Sequence, residues 1–387
     1  MKKKVLIVND ERQIGGVAIV LETILNNIDL TNMEIDLLIL HDNGERLKKL
    51  PIEINVIYGT DFFKTVDIPI KEIMKKFNIS QFVNKFKLVY YLKTGLIKNK
   101  IIEERKKLLN KDYDIEIAFK DGFTALFTGY GNSKKKIHWL HVDYSNNNPN
   151  LKYANLFEDL FSNFDEIIAV SKPVLDEFVK VYNYKGKKTV INNIVDVEDI
   201  RSKGEEEVLN IDKDKLSLVS LGRFSFVKGY DNLIEVMSLL KQNNLHNNII
   251  LNLYGYGEEE ENLKDLVKKL ELEDIIKFNG KVSNPYKYVK NSDLFILPSR
   301  SESYGLVVIE AMLLGIPVLS VELATVDSLI NRDKNGMIVD NSIEGLYNGL
   351  KVLIENPKEI EKYKKNLKKY NYENNKIIEE INRLFNS

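Results

Sequence analysis

The sequence predicts an α/β protein with two doubly wound, parallel-sheet domains in series. Short runs rich in Val, Ile and Leu alternate with longer helix-like segments along almost the whole chain, as in parallel strands covered by helices. The 387 residues exceed one typical domain. A charged segment poor in strand formers, Val195 to Lys215, is interpreted as the interdomain linker. We therefore expect domains over 1–195 and 196–370, with a helix at about 371–387 that packs back on the first.

The first half contains seven apolar runs of strand length. We predict these strands at Lys4 to Asn9, Ile35 to His41, Asn55 to Tyr58, Ile115 to Phe119, Lys136 to His141, Glu166 to Val170 and Thr189 to Asn192. Helices are predicted between them at Val17 to Asn26, over much of Ile70 to Asn110, at Leu151 to Phe161 and at Pro173 to Tyr182.

The second half repeats this alternation with five runs. Strands are predicted at Leu216 to Leu221, Ile249 to Tyr254, Ile276 to Phe278, Leu294 to Leu297 and Val318 to Val321. Helices are predicted at Tyr230 to Lys241, Glu258 to Leu270, Pro285 to Lys290 and Leu306 to Leu314.

Composition excludes several classes of protein. The net charge of -1 argues against a nucleic-acid-binding protein, because such domains usually carry a basic excess. The absence of cysteine excludes disulfides, thiolate zinc sites and cysteine nucleophiles. No uninterrupted apolar run is long enough for a membrane span, and the run Val5 to Val8 is too short for a signal peptide. We therefore expect a cytoplasmic protein.

Ligands of doubly wound sheets bind outside the carboxyl ends of the strands, so the loops that follow strands are the first candidates. In NDERQIGGVA, Gly15 and Gly16 could let a substrate approach the amides of a helix N-terminus, although a plain tight turn explains them equally well. In IHWLHVDYS, His141 and Asp143 lie at a strand end, and a structural histidine is the alternative.

The loop LGRFSFVKGYDN carries two cations between a strand and a helix. Arg223 can form a bidentate clamp on phosphate and Lys228 can act as a point charge. The alternative is a solvated surface pair.

The stretch RSESYGLVVIEAMLLG combines a helix start with two carboxylates. The amides of Gly305, Leu306 and Val307 lie where a helix presents its positive end, and Glu302 lies at the rim. Glu310 follows one and a half turns later in an apolar run, where it could accept hydrogen bonds from a vicinal diol such as ribose. A buried ion pair is the alternative for Glu310. Together these loops suit a nucleoside diphosphate.

The second half resembles glycosyltransferase family four from about Ser217 to Asp340. The matching motifs, in order, are GRFSFVKG, YGYGEEEENL, FNGKVSN, SDLFILPSRSESYGLVVIEAMLLGIPV and NGMIV. The first half is similar more loosely, through GGVA, IHWLH and IIAVS. The resemblance implies the GT-B fold, in which two Rossmann-like domains face each other across a cleft. It also identifies Glu302 and Glu310 as an E-x7-E pair.

The resemblance implies a role for each candidate residue. Glu302 would touch hydroxyls of the donor sugar, and His141 would face that sugar near the bond that breaks. Gly15 and Gly16 would border the donor phosphate and the acceptor. The donor nucleotide would be held by Glu310, Arg223, Lys228, Gly305, Leu306 and Val282.

The implied function is the retaining transfer of a hexose-type sugar from a nucleotide-diphosphate sugar to a hydroxyl of a glycan or lipid-linked acceptor, in cell-surface polysaccharide synthesis. Uridine diphosphate is the expected carrier, and no cofactor or metal is required. A catalytically silent nucleotide-sugar-binding subunit, a nucleotide-sugar epimerase and a phosphorylase are the alternatives. The D-x-D letters at Asp112 and Asp212 do not indicate a metal site, because the first precedes a strand and the second lies in the linker segment.

The segment Lys71 to Leu109 is strongly basic. Ten lysines and Arg105 against three glutamates give it a net charge of +8, and aromatic and aliphatic residues are interleaved with these cations. This pattern predicts a helix or helical hairpin at the surface of an anionic membrane, which would make the protein peripheral on the inner face of the cell membrane. The alternative is an ordinary amphipathic helix with its aromatic residues in the domain core.

Overall fold

The computed structural model describes residues 2–10, 15–41, 50–66, 79–144, 154–208, 214–332 and 334–386. The chain divides into two compact units. The first unit comprises Met1–Ile194 together with Asn374–Ser387, and the second comprises Val195–Glu373. The predicted α/β class is confirmed, because each unit is built on a parallel sheet with helices between its strands.

The first unit contains a seven-stranded parallel sheet. Its strands are β1 Lys3–Asn9, β2 Met33–Ile39, β3 Asn55–Tyr58, β4 Ile115–Ala118, β5 Lys135–Leu140, β6 Glu166–Ala169 and β7 Lys187–Val190. They lie in the order β3-β2-β1-β4-β5-β6-β7. Val5 of the central strand β1 pairs with Ile35 of β2 and with Ile115 of β4, and all three side chains are buried.

Eight α-helices accompany this sheet in the described part of the first unit. They are α1 Gly16–Asn27, α2 Asp61–Lys64, α3 Ile79–Thr94, α4 Ile97–Leu108, α5 Phe123–Gly129, α6 Ala154–Leu160, α7 Lys172–Tyr182 and, from the end of the chain, α15 Asn374–Asn386. Helix α15 buries Ile381, Leu384 and Phe385. The Lys3 Nζ atom donates to the Asn386 carbonyl at 2.8 Å, so the last helix is bonded to the first strand.

The second unit contains a six-stranded parallel sheet. Its strands are β8 Leu216–Leu221, β9 Ile249–Tyr254, β10 Ile276–Phe278, β11 Leu294–Leu297, β12 Val318–Val321 and β13 Gly336–Val339. They lie in the order β10-β9-β8-β11-β12-β13. The helices are α8 Val197–Gly204, α9 Tyr230–Gln242, α10 Glu260–Lys269, α11 Tyr286–Lys290, α12 Leu306–Leu313, α13 Ile343–Glu355 and α14 Pro357–Leu367.

Each sheet has a point where the strand order reverses direction. In the first unit β1 lies between β2 and β4, and in the second β8 lies between β9 and β11. The crevice outside the carboxyl ends of the strands at such a point is where ligands of doubly wound sheets bind. The fold therefore indicates the residues that follow β1, β4, β8 and β11 as candidates for ligand binding.

The structure differs from the predicted elements in several places. The segment interpreted as a linker contains helix α8, whose Ile200 is buried. Helices α2, α5 and α13 and strand β13 were not predicted. The single helical region expected from residue 70 onward is two helices in its described part, α3 and α4, while residues 67–78 lie outside the described residues.

Of the helices in the described part of the chain, none combines the length and the apolar content that spanning a bilayer requires.

Candidate active site

The loop between β8 and α9 carries the two predicted cations. Lys228 ends a 3-10 turn, Phe226–Lys228, and Gly229 follows it with a φ of 66°. A Cβ atom at Gly229 would lie 2.0 Å from the carbonyl oxygen of Pro298, so only glycine fits between this loop and the end of β11. Arg223 is mostly exposed, and its Nε donates to the Glu258 carboxylate at 3.1 Å.

Arg300, which was not predicted as a site residue, holds this loop in place. Its NH1 and NH2 atoms each donate to the Asp231 carboxylate at 2.7 Å, and NH1 also donates to the Phe226 carbonyl at 2.7 Å. The guanidinium lies over the Phe226 ring at 4.1 Å from its centroid. Such a bidentate and stacked arginine fixes geometry as well as charge, and here it fixes the turn that ends at Lys228.

Lys228 and Glu302 meet at the carboxyl edge of the second sheet. The Lys228 Nζ lies 2.6 Å from Glu302 Oε1, and the Ser299 hydroxyl donates to the same oxygen at 2.8 Å. The Thr325 hydroxyl donates to the Glu302 carbonyl at 2.7 Å. The Glu302 side chain is buried, so this ion pair stands in a partly desolvated position where its charges are weakly screened.

Helix α12 begins beside this pair. Its N-cap is Gly305, in the left-handed conformation with a φ of 87°, and no side-chain cap hydrogen bond is present there among the described residues. The first-turn amides, beginning at Leu306, therefore form the positive end of the helix next to a lysine. That arrangement suits an anionic group such as phosphate.

Glu310 lies in α12 between two fully buried residues and is itself half-buried. Burial raises the pKa of its carboxyl group to about 7, although a hydrogen bond from Tyr286 acts in the opposite direction. The Tyr286 hydroxyl donates to Glu310 Oε1 at 3.4 Å. Among the described residues no cation forms an ion pair with Glu310, so the ion-pair alternative finds no partner there.

Val282 lies half-buried in the loop between β10 and α11, four residues before Tyr286. The structure thus places Arg223, Lys228, Val282, Glu302 and Gly305 on three loops that follow strands, and Leu306 and Glu310 in helix α12. It joins Lys228 to Glu302 and Glu310 to Tyr286, and it leaves Arg223 paired with Glu258 at the surface.

In the first unit His141 directly follows β5 and is buried. Its ring packs against Phe119 at 4.6 Å and against Trp139 at 6.2 Å between ring centroids. Its Nε2 atom is buried and has no hydrogen-bond partner within the described ranges. Burial lowers the pKa of His141 to about 3, so the imidazole is neutral near physiological pH. Asp143 is half-buried two residues later.

Gly15 is the N-cap of α1 and Gly16 is its first residue, and both are exposed. Gly15 has an extended backbone, and a Cβ atom there would meet no neighbour within 4 Å. Within the described residues the N-cap of α1 provides no side-chain hydrogen bond to the first amides of the helix.

Two charged groups at the reversal point of the first sheet were missed by the sequence analysis. Asp10 follows β1 and Lys120 follows β4, and their Oδ1 and Nζ atoms are 3.0 Å apart. The neighbouring Asp121 accepts from the Tyr144 hydroxyl and lies 3.1 Å from His138 Nε2. The available signal was position, because Asp10 and Lys120 directly follow predicted strands and Asp121 comes one residue later.

A cavity of about 540 Å³ lies elsewhere, at the amino ends of the second-unit strands, and is lined by Leu216, Asn244, Ile249 and Asp293 among others. It is remote from the ends where such sheets bind ligands. Within the described ranges no group of three or more His, Cys, Asp and Glu side chains is arranged to hold a metal ion.

The fold matches that of solved glycosyltransferase structures. The solved structure of Anabaena HepE in complex with UDP and glucose matches with a TM-score of 0.73 over 100% of both chains, at 17% sequence identity. The protein therefore has the fold of GT-B glycosyltransferases, two parallel-sheet α/β units, as predicted. Residues 202–373 match the family model described as glycosyl transferases group 1.

Two curated relatives are glycosyltransferases, and the chain is similar to each of them over part of its length. An uncharacterised glycosyltransferase of Haemophilus influenzae is 37% identical over 143 residues, which are 36% of this chain and 40% of that protein. The N-acetylgalactosamine-N,N'-diacetylbacillosaminyl-diphospho-undecaprenol 4-alpha-N-acetylgalactosaminyltransferase of Campylobacter jejuni is 29% identical over 231 residues, 59% of this chain and 61% of that enzyme. The chain thus aligns with less than two thirds of either relative.

Proposed function

We propose that the protein is a retaining glycosyltransferase of family four that moves a hexose-type sugar from a nucleotide-diphosphate sugar to a hydroxyl of a glycan or lipid-linked acceptor. The observation that carries the proposal is the Lys228–Glu302 pair beside the uncapped start of α12, at the reversal point of the second sheet. A fixed cation and open helix amides at this position suit a diphosphate. The group 1 family match over residues 202–373 covers all of these groups.

The proposed roles follow the chemistry of each group. Glu310, when ionised, accepts hydrogen bonds from the ribose diol, and Val282 borders the base. Arg223 and Lys228 neutralise the diphosphate with the Gly305 and Leu306 amides. Glu302 accepts from hydroxyls of the donor sugar. His141, neutral because of its burial, donates to or accepts from the same sugar, and Gly15 and Gly16 border the acceptor.

The proposed reaction is a front-face displacement. The acceptor oxygen forms a bond to the anomeric carbon on the side that the diphosphate leaves, and the acceptor proton passes to a leaving phosphate oxygen. The negative charge that grows on the diphosphate meets preorganised cations and amides, so electrostatic stabilisation supplies most of the catalysis. This scheme requires no metal.

The names of similar proteins support the substrate classes. HepE was solved with UDP and glucose, and the Campylobacter jejuni relative is named for transfer to a sugar carried on diphospho-undecaprenol. We therefore propose a UDP-sugar donor, an acceptor in cell-surface polysaccharide synthesis, and a cytoplasmic protein that reaches this acceptor at the inner face of the membrane.

The Glu310→Gln variant tests the nucleotide site. We expect its affinity for UDP near pH 8 to fall by about 10- to 100-fold, because the amide loses charge-assisted hydrogen bonds to the diol. Wild-type affinity should itself fall as the pH drops through about 7, where Glu310 gains its proton. The variant should show little of this pH dependence. Calorimetric titration at several pH values measures both effects.

Stability provides the control for this variant. The raised pKa of Glu310 means that the folded form holds a proton between pH 4.5 and about 7 where the unfolded form has lost it. Ligand-free wild-type protein therefore loses stability as the pH rises through that window, whereas the glutamine variant is spared this loss. Unchanged UDP affinity in a stably folded variant would contradict the ribose role of Glu310, and Glu322→Gln at the exposed surface serves as the matched control.

Chelation tests the metal-free mechanism. We expect wild-type turnover to change by less than about twofold in excess chelator, because protein cations rather than a bound ion stabilise the leaving group. Product formation from UDP-sugars is followed by chromatography. Complete loss of turnover that manganese restores would overturn the mechanism while leaving the proposed transfer reaction in place.

A further inference from the structure

Helix α3 presents an apolar face to solvent. Of its 16 residues, Leu88 alone is buried among those described. Ile79, Phe86 and Tyr90 are 80%, 62% and 57% exposed, and Phe82 and Val83 are also exposed. Single exposed apolar residues are ordinary on protein surfaces, but a set of five on one two-to-three-turn stretch indicates an interaction site.

The five exposed side chains form one stripe. Their positions fall within an arc of about 100° at the helical repeat, and Leu88 lies on the opposite side. The Phe82 and Phe86 rings are in contact, with centroids 4.9 Å apart. The stripe is therefore a continuous apolar surface, which we call the α3 face (Ile79, Phe82, Val83, Phe86 and Tyr90).

The charged residues of helix α3 itself are all lysines. Lys87 borders the stripe on one side, Lys93 lies in line with it at the C-terminal end of the helix, and both are exposed. From Ile79 to Ile102 the chain contains no Asp or Glu. Lys85 instead turns inward, because its Nζ donates to the Val66 carbonyl at 2.6 Å and so ties α3 to its own unit.

Helix α4 does not extend this surface. Its Lys100 and Lys107 form ion pairs with Glu103 and Glu104, so these two cations are engaged within α4 itself. Tyr91 and Phe62 pack edge to face at 6.4 Å, so part of the aromatic content does face the unit, as the amphipathic alternative expected.

We propose that the α3 face lies on an anionic lipid surface, with its aromatic rings at the acyl boundary and Lys87 and Lys93 at the headgroups. This inference rests on the proposed function, because the α3 face would bring the enzyme to the membrane that carries a lipid-linked acceptor. A stripe of aromatic and aliphatic residues flanked by lysines suits an interfacial helix. A second copy is a poorer occupant, because a two-fold contact would set the same lysines against each other with no acidic partner.

Vesicle cosedimentation of the full chain tests the proposal. The probes are vesicles of phosphatidylcholine alone and vesicles with about one third phosphatidylglycerol, at low and high salt. We expect binding to the anionic vesicles that high salt weakens, and little binding to the neutral ones. Phe86→Ser/Tyr90→Ser and Lys87→Glu/Lys93→Glu should each raise the half-saturating lipid concentration about tenfold or more.

The matched control is Lys106→Glu/Lys268→Glu, which changes net charge equally at exposed positions away from the α3 face. It should bind vesicles like wild type. Equal weakening in this control would overturn the proposal, as would wild-type protein that stays in the supernatant with both vesicle types. A dimer in solution that Phe86→Ser/Tyr90→Ser dissociates would assign the face to a second copy and also overturn it.

UDP titration of the same variants separates this proposal from the proposed function. The α3 face contains no residue assigned to donor binding, so UDP affinity should be unchanged in all of them. If the protein binds vesicles but not UDP, the membrane contact stands and the proposed function fails. If it binds UDP but not vesicles, the proposed function stands and the membrane contact fails.

Discussion

Lys228→Ala is expected to lower the turnover of the proposed reaction by about 100- to 1,000-fold, the usual cost of removing one preorganised group that stabilises a developing anion. Lys228 stands 2.6 Å from Glu302, on a turn fixed by Gly229 and Arg300. It is therefore placed before the reaction begins. UDP affinity should fall by a smaller factor, because the charge on the leaving diphosphate grows toward the transition state.

Two further variants separate charge from structure. Alanine at position 228 also leaves the buried Glu302 carboxylate without its cation, so the fold around it must be checked. Lys228→Arg keeps a cation and should retain more turnover than Lys228→Ala, and the exposed Lys277→Ala should behave like wild type. Steady-state kinetics measures turnover and calorimetry measures UDP affinity on the same preparations. Equal losses of UDP affinity and of kcat/KM would contradict a role for Lys228 that grows toward the transition state.

Arg105→Met is expected to cost the first unit about 3–5 kcal/mol of its free energy of unfolding, which is the usual penalty for removing one partner of a buried ion pair. The Arg105 NH2 atom lies 2.8 Å from Glu116 Oε1, and the two side chains are only 8% and 1% exposed. Its NH1 atom donates to the Phe127 carbonyl at 2.7 Å. Methionine fills a similar volume but leaves Glu116 without compensation. Burial already raises the pKa of Glu116, although Arg105 acts to lower it.

Urea titration followed by tryptophan fluorescence measures this loss in the relevant unit, because Trp139 is the only tryptophan in the sequence and is fully buried in β5. The double variant Arg105→Met/Glu116→Gln removes the orphaned charge and should recover much of the stability. The loss in the single variant should shrink as the pH falls, because a protonated Glu116 no longer needs a cation. A loss of unfolding free energy below about 1 kcal/mol would contradict this prediction, because it would equal the contribution of an exposed surface ion pair.

In the second sheet, the sequence predicted the boundaries of the covered strands almost to the residue. Leu216–Leu221, Ile249–Tyr254 and Val318–Val321 match because a short run dominated by Val, Ile and Leu is typical of a covered parallel strand. The prediction of a linker over α8 was wrong, because a charged helix that buries little more than Ile200 resembles a linker in composition. Strand β13 was missed because its exposure alternates at the sheet edge.

The α3 face shows the same limit for surfaces. The sequence predicted a basic helix with interleaved aromatic residues, and two placements of those residues were equally consistent with it. Only the packing of the first unit decided which side chains face inward, because amphipathic spacing does not say which side a neighbouring element covers.

The sequence by itself determined the two-unit α/β architecture and the types of residue in the candidate site, since strand composition, glycine turns and the order of motifs are local properties of the chain. Tertiary structure alone decided the pairing of Lys228 with Glu302, the clamp of Arg300 on Asp231 and the contact of Tyr286 with Glu310, because the first two join residues about 70 positions apart and the third joins two helices. It also decided protonation. The pKa values of about 7 for Glu310 and about 3 for His141 arise from burial, which depends on the atoms that folding brings around each group.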